Sequence, residues 1–118
     1  MTNQAICNVT MTAHDGVPVV QVSGDVDVAT SPELRMALLE PSLDPGAALI
    51  VDMRAVTFID STGLSALVAG RTRFVDAGGD LRLVVDSRSV HRVFEVTGLH
   101  QVFPIFSSMS AAADAAVA

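Results

Sequence analysis

Apolar residues along the chain fall into short blocks whose spacing switches between that of strands and that of helices. Residues 6–13 and 17–23 are rich in β-branched residues and flank His14-Asp15-Gly16, which predicts an antiparallel hairpin with a glycine-containing turn. Ala47–Val51 (AALIV) is an unbroken apolar run, short enough for a strand and apolar enough to be buried on both faces. From Ser61 onward, apolar residues recur at Leu64, Leu67, Val68, Phe74 and Val75, the spacing of a helix over residues 62–77 that stops at Gly78-Gly79. Leu81–Val85 is a further strand. Ser89–Thr97 is a third helix, apolar at Val90, Val93 and Phe94 and closed by Gly98. Val102–Phe106 is a short strand that Pro104 confines to an edge, and the alanine-rich residues 108–118 form a terminal helix.

A first helix opens at Thr30-Ser31-Pro32-Glu33. Pro32 as first helical residue favours Ser31 as cap, whereas Thr30 with Glu33 three residues on fits a capping box. Leu34, Ala37 and Leu38 form its buried side, and Pro41 closes it. A hairpin followed by alternating helix and strand specifies an α/β chain, with a mixed sheet of about five strands, parallel after the hairpin, and about four helices. Ligands and partners of such sheets gather at the carboxyl ends of the parallel strands. Asp25-Val26-Asp27, read as an acidic turn, and Asp60-Ser61 both follow such ends and are expected at one pole of the molecule.

Composition narrows the chemistry. The chain has 118 residues, enough for one domain with an ordinary core. Its net charge is −6, and all seven basic residues are arginine, so clustered positive charge for nucleic acid is missing. Without lysine there is no phosphate-binding loop ending in Gly-Lys-Ser/Thr, no Schiff base and no Ser-x-x-Lys nucleophile. Apolar runs reach only about five residues, against roughly twenty for a bilayer span. Met1-Thr2-Asn3-Gln4 carries no secretion signal, and a lone Cys7 permits no internal disulfide, so a soluble cytoplasmic protein away from membranes is expected.

The most informative stretch is Val56–Gly70, where strand hands over to helix. A hydroxyl at a helix start can cap it, bind an anion or carry a phosphate, and Asp60-Ser61-Thr62 offers three capping groups in a row. A phosphate there is expected to be tolerated, because free N–H groups and the helix dipole favour an anion. Gly63, costly within a helix, suggests a close approach to the backbone. Opposite the stripe Leu64, Leu67, Val68, Val75 lie Thr62, Ala66, Ala69 and Arg73, a face of small groups that is either a docking surface or covered by the chain itself. His14, His91 and His100 read as surface residues, so Ser61 lacks a base for nucleophilic catalysis. No His or Cys pair has ligand spacing, and neither a metal nor a cofactor is expected. Asp25 and Asp27 could hold Mg²⁺ with a phosphate, but Asp residues beside a turn more often bind their own backbone.

Four stretches together resemble the STAS domain, and within it bacterial anti-sigma factor antagonists: Gly24–Arg35, Val56–Leu64, Gly78–Leu83 and Phe94–Leu99. Phe-Ile-Asp-Ser-Thr-Gly-Leu is the most specific part. The resemblance implies that Ser61 is the serine phosphorylated by a partner that is both anti-sigma factor and serine kinase, with a phosphoserine phosphatase reversing the step. It places the loop bearing Asp25 beside that serine. It implies a binding switch and not an enzyme, with the partner surface drawn from Asp25, Asp27, Asp60, Ser61, Thr62, Gly63, Ser65, Ala66 and Ala69. Ser65 stands where many relatives have glycine, and Thr62 where some have a second serine that could compete as acceptor. The alternatives are a constitutive STAS subunit of a transporter or sensory complex and, third, a small hydrolase using Ser61.

Overall fold

The computed structural model describes residues 7–115, and the expectations for residues 1–6 and 116–118, including the amino-terminal reading and the last turn of the terminal helix, lie outside it. The chain runs β1 (Asn8–His14), β2 (Val17–Val26), α1 (Ser31–Leu38), β3 (Ala48–Ile59), α2 (Ser61–Asp76), β4 (Asp80–Val84), α3 (Arg88–Thr97), a 3-10 turn (Leu99–Gln101), β5 (Ile105–Phe106) and α4 (Met109–Asp114). The five strands lie in chain order, β1 antiparallel to β2 and every other pair parallel. This is the mixed α/β sheet that the hydropathy pattern specifies.

Two strands are longer than expected. Asp25-Val26-Asp27 reads as a turn, yet Gly24 sits at φ +87° beside a register shift, so β2 bends and continues to Val26. Asp25 and Val26 then pair with Phe58 and Ile59, which draws β3 out to Ile59 in place of Val51. β4 stops opposite Asp52, so more than half of β3, from Met53 to Ile59, has a strand neighbour only in β2. The strand expected over 102–106 shrinks to Ile105–Phe106, because the N–H groups of Val102 and Phe103 turn back to the Leu99 carbonyl at 2.9 and 3.0 Å. Thr30 makes no side-chain cap on α1, so no capping box forms.

One face of the sheet, carrying Val20, Leu49, Val51 and Leu83, packs under α1, α2 and α3 through Leu34, Leu38, Leu67, Phe74, Val90 and Phe94. Burying each such side chain stabilises by about 1.5–3 kcal/mol, which makes this layer the main support of the fold. The other face carries a smaller cluster, Val19, Ile50 and Val84, beneath Ala112 and Ala113 of α4. The Arg82 guanidinium, only 5% exposed, fixes that helix by donating to Asp80 Oδ2 at 2.8 Å and to the Ala112 carbonyl at 3.2 Å. In β3, buried Asp52 accepts two bonds of 2.9 Å from the Arg54 guanidinium. Burial alone would push the Asp52 carboxyl up, but those bonds outweigh it and hold it below the ordinary range.

α1 and α2 pack side by side, and small residues mark their contact. Gly70 lies against Leu38, and Arg73 donates to the carbonyls of Leu38 and Leu43 at 2.9 and 3.2 Å, satisfying the free end of α1.

Candidate functional site

The pole formed by the carboxyl ends of β2 and β3 holds the acidic loop and the start of α2, as expected. The backbone N–H of Asp60 donates to the Val26 carbonyl at 3.1 Å, which ties the two loops together. Asp60 is the N-cap of α2. Its Oδ1 accepts the N–H of Thr62 at 2.9 Å and of Gly63 at 3.2 Å, and it also accepts the Thr62 hydroxyl. The Thr62 hydroxyl is the largest influence holding the Asp60 carboxyl below its ordinary pKa, with the two amide bonds adding to it. Ser61 is the first residue of the helix, exposed, and among the described residues its hydroxyl makes no hydrogen bond.

This arrangement changes one expectation. The amides of Thr62 and Gly63 are already taken by the Asp60 carboxylate, and that of Leu64 by the Asp60 carbonyl at 3.0 Å. An anion on Ser61 therefore finds the next three amides of α2 already bonded and a carboxylate on the adjoining residue.

The acidic loop divides its two carboxylates. Asp27 accepts from Ala29 N at 3.0 Å, Thr30 N at 3.2 Å and the Thr30 hydroxyl at 3.1 Å, so it closes its own turn as the backbone reading has it. Asp25 instead accepts the Thr57 hydroxyl at 2.6 Å across to β3, and its carboxylate lies on the rim shared with Phe58. Among the described residues, no group of three His, Cys, Asp or Glu could hold a metal ion.

Gly63 has an internal reason. A Cβ there would stand 2.7 Å from Ile59 Cγ1 and 2.8 Å from Val26 Cγ1, so the close approach inferred from sequence is made by the chain's own core. Ala66 is likewise 1% exposed within the core cluster, and at that position the covered reading of the small face holds. Ala69 is half-buried. The outward face of α2 is Ser61, Ser65, Val68, Thr72 and Val75, although helical spacing alone puts Val68 and Val75 in the buried stripe. The error has a physical cause: α2 is flanked by the sheet and by α1, so its buried arc is wider than one stripe and is completed by Ala66 and Gly70.

Sequence reasoning missed three apolar residues that this surface exposes: Val28 in the acidic loop at 72%, Phe58 at 51% and Val68 at 39%. Val68 reads as part of the buried stripe, Val28 and Phe58 carry no assignment from spacing, and the paired registers of β2 and β3 place Phe58 beside Asp25. The histidines lie elsewhere: His14 contacts Asp15 at 3.5 Å, His91 contacts Glu95 at 3.6 Å, and His100 lies 3.3 Å from the Phe94 carbonyl.

Comparison with known proteins agrees with this architecture. The STAS domain family model matches residues 8–112. The chain belongs to the STAS domain family. Within it, the chain is 34% identical over 104 residues to the anti-sigma-F factor antagonist RsfB of Mycobacterium tuberculosis, with 86% of this chain and 82% of that one covered. It is 35% identical over 86 residues to the anti-sigma-B factor antagonist of Bacillus subtilis, covering 73% and 78% of the two chains. The crystal structure of an anti-sigma factor antagonist from Mycobacterium paratuberculosis superposes with a TM-score of 0.85 at 30% identity, over 100% of both chains. The STAS sheet thus carries, at its β3–α2 junction, the capped and exposed Ser61. No helix among the described residues is long and apolar enough to cross a membrane.

Proposed function

We propose that the chain is a single STAS domain acting in the cytoplasm as an anti-sigma factor antagonist, a binding protein and not an enzyme, with Ser61 as its switch. Unmodified, it binds an anti-sigma factor that is also a serine kinase and so frees a sigma factor. Phosphorylation of Ser61 ends that binding, and a phosphoserine phosphatase restores it. The observation that carries this reading is the exposed Ser61 hydroxyl, free of hydrogen bonds among the described residues, at the start of a helix capped by its neighbour. The names of relatives at 34–35% identity support the partner class.

The partner surface is drawn from Asp25, Ser61, Ser65 and Val68 with the exposed Phe58 and Val28 beside them, while Asp27, Asp60 and Gly63 shape it from beneath. Phosphorylation adds about −1.5 to −2 charges. Burying that charge unpaired in a protein interface costs several kcal/mol, and about 3 kcal/mol already weakens binding more than a hundredfold. Calorimetric titration of the anti-sigma factor with both forms tests this. Tight binding by the unmodified chain and at least a hundredfold loss in the phosphorylated one is expected. Equal affinity, or a chain that never carries phosphate on Ser61 in its own cells, would favour the constitutive scaffold instead.

A further inference from the structure

Two hydroxyls stand side by side at the start of α2, and they are held differently. We propose that Asp60 is the positioning residue that selects between them: by drawing the Thr62 hydroxyl into the helix cap it withdraws Thr62 and leaves Ser61 as the acceptor. The proposal rests on the phosphoacceptor reading of the site.

Phosphoryl transfer makes two demands on the acceptor. The acceptor oxygen bonds to the γ-phosphorus of a nucleoside triphosphate, and the bond to the bridging oxygen breaks. The diphosphate leaves with that electron pair, and the hydroxyl proton passes to a base of the kinase. The acceptor must therefore turn its oxygen outward, in line with the leaving group, and be free to give its proton to the partner. Ser61 meets both conditions, being exposed with an uncommitted hydroxyl.

Thr62 meets neither. Its hydroxyl donates to Asp60 Oδ1, the same oxygen that receives the amides of Thr62 and Gly63, and the residue is half-buried. Turning the Thr62 oxygen outward breaks that bond, and a β-branched side chain in a helix has few rotamers with which to do so. Asp60 does not serve Thr62 as the base, because the same bonds depress its basicity. Withdrawal of the second hydroxyl thus follows from the way the helix is capped.

The test reads phosphate position and hydroxyl exchange separately. Tagged wild-type, Ser61→Ala, Ser61→Ala/Asp60→Ala and Ser61→Ala/Asp60→Asn chains are produced in the cells that carry the gene. The tryptic peptide from Ala55 to Arg71 is then sequenced by mass spectrometry. Phosphate is expected on Ser61 alone in the wild type and on neither residue in Ser61→Ala. On Thr62 of the Asp60→Ala double variant it should rise at least tenfold. The Asp60→Asn double variant should fall back toward Ser61→Ala, since a carboxamide oxygen still accepts the hydroxyl and both amides. Phosphate on Thr62 of Ser61→Ala, or no gain in the Asp60→Ala double variant, overturns the proposal and leaves the functional reading standing. A wild-type chain without phosphate on Ser61 overturns both. In the purified full chain, with no kinase present, nuclear magnetic resonance should show a slowly exchanging Thr62 hydroxyl proton that vanishes in Asp60→Ala. A Thr62 proton exchanging as fast as that of Ser61 sinks the idea, whatever the labelling shows.

Discussion

Replacing Gly63 with alanine adds one methyl group to the first turn of α2, and two opposing terms decide the outcome. On helix propensity alone the change is favourable by about 1 kcal/mol. Against it, the new carbon would stand 2.7 Å from Ile59 Cγ1 and 2.8 Å from Val26 Cγ1, whereas carbons at rest sit about 3.5–4.0 Å apart. Neither neighbour can step aside, because both are buried, β-branched and anchored in paired strands. Overpacking of this kind costs about 1–3 kcal/mol, and with two rigid contacts the upper half of that range applies. The net expectation is a loss of about 1–2 kcal/mol, a fall of about 5 °C or more in melting temperature for a domain of this size. Urea titration by circular dichroism measures it. The cause is isolated by repeating the substitution in a Val26→Ala background, where the penalty should shrink by about 1 kcal/mol through the shared contact. A Gly63→Ala chain more stable than the wild type would show that the first turn rides higher above the sheet, and the packing argument would fall.

Phosphorylated Ser61 chain should melt below the unmodified chain, since the phosphate is carried one residue from the Asp60 carboxylate that already holds the helix amides; scanning calorimetry of the two forms checks this, and an equal or higher midpoint refutes it. Val68→Glu should weaken anti-sigma factor binding at least tenfold with the melting temperature unchanged, whereas Ala66→Glu should fail to fold, as measured by titration and circular dichroism. Asp60 and Asp52 both have depressed pKa values, so their contributions to stability are complete above the ordinary carboxylate pKa and are lost as pH falls through the lower folded-state values. Denaturation at a series of acidic pH values should accordingly show a shallower acid limb for Asp60→Ala and for Asp52→Asn than for the wild type.

Element order and the handover at Ser61 were legible in the sequence because each rests on short-range physics: period, caps and turn residues. The spacing starts the third helix at Ser89 and does not single out Ser87, although the helix begins at Arg88 and its cap is that serine, whose hydroxyl accepts from Val90 N. What stayed hidden depended on neighbours distant in the chain. Val68 and Val75 look like core on a helical wheel, and only the packing of α1 against α2 turns them outward. The extension of β2 past Gly24 needed its pairing with Phe58 and Ile59, more than thirty residues away. Asp60 was visible as a cap, but its hold on the Thr62 hydroxyl was not, because that depends on a rotamer and not on spacing.

The position of α4 sets an order of events during synthesis. Residues Val19, Ile50 and Val84 are made before the segment that shields them, and Ala113 follows Val84 by 29 residues, from 113 − 84. At about 5–20 residues per second, the ribosome needs roughly 1.5–6 s to deliver that segment. α3 and β5 are made within that interval as well, and until α4 arrives Val19, Ile50 and Val84 form a patch with no helix over it. Arg82, whose guanidinium finally binds the Ala112 carbonyl, keeps a hydrated charge beside that bare patch in the meantime. A nascent chain therefore carries its own guard against sticking to its neighbours until the last helix closes over it.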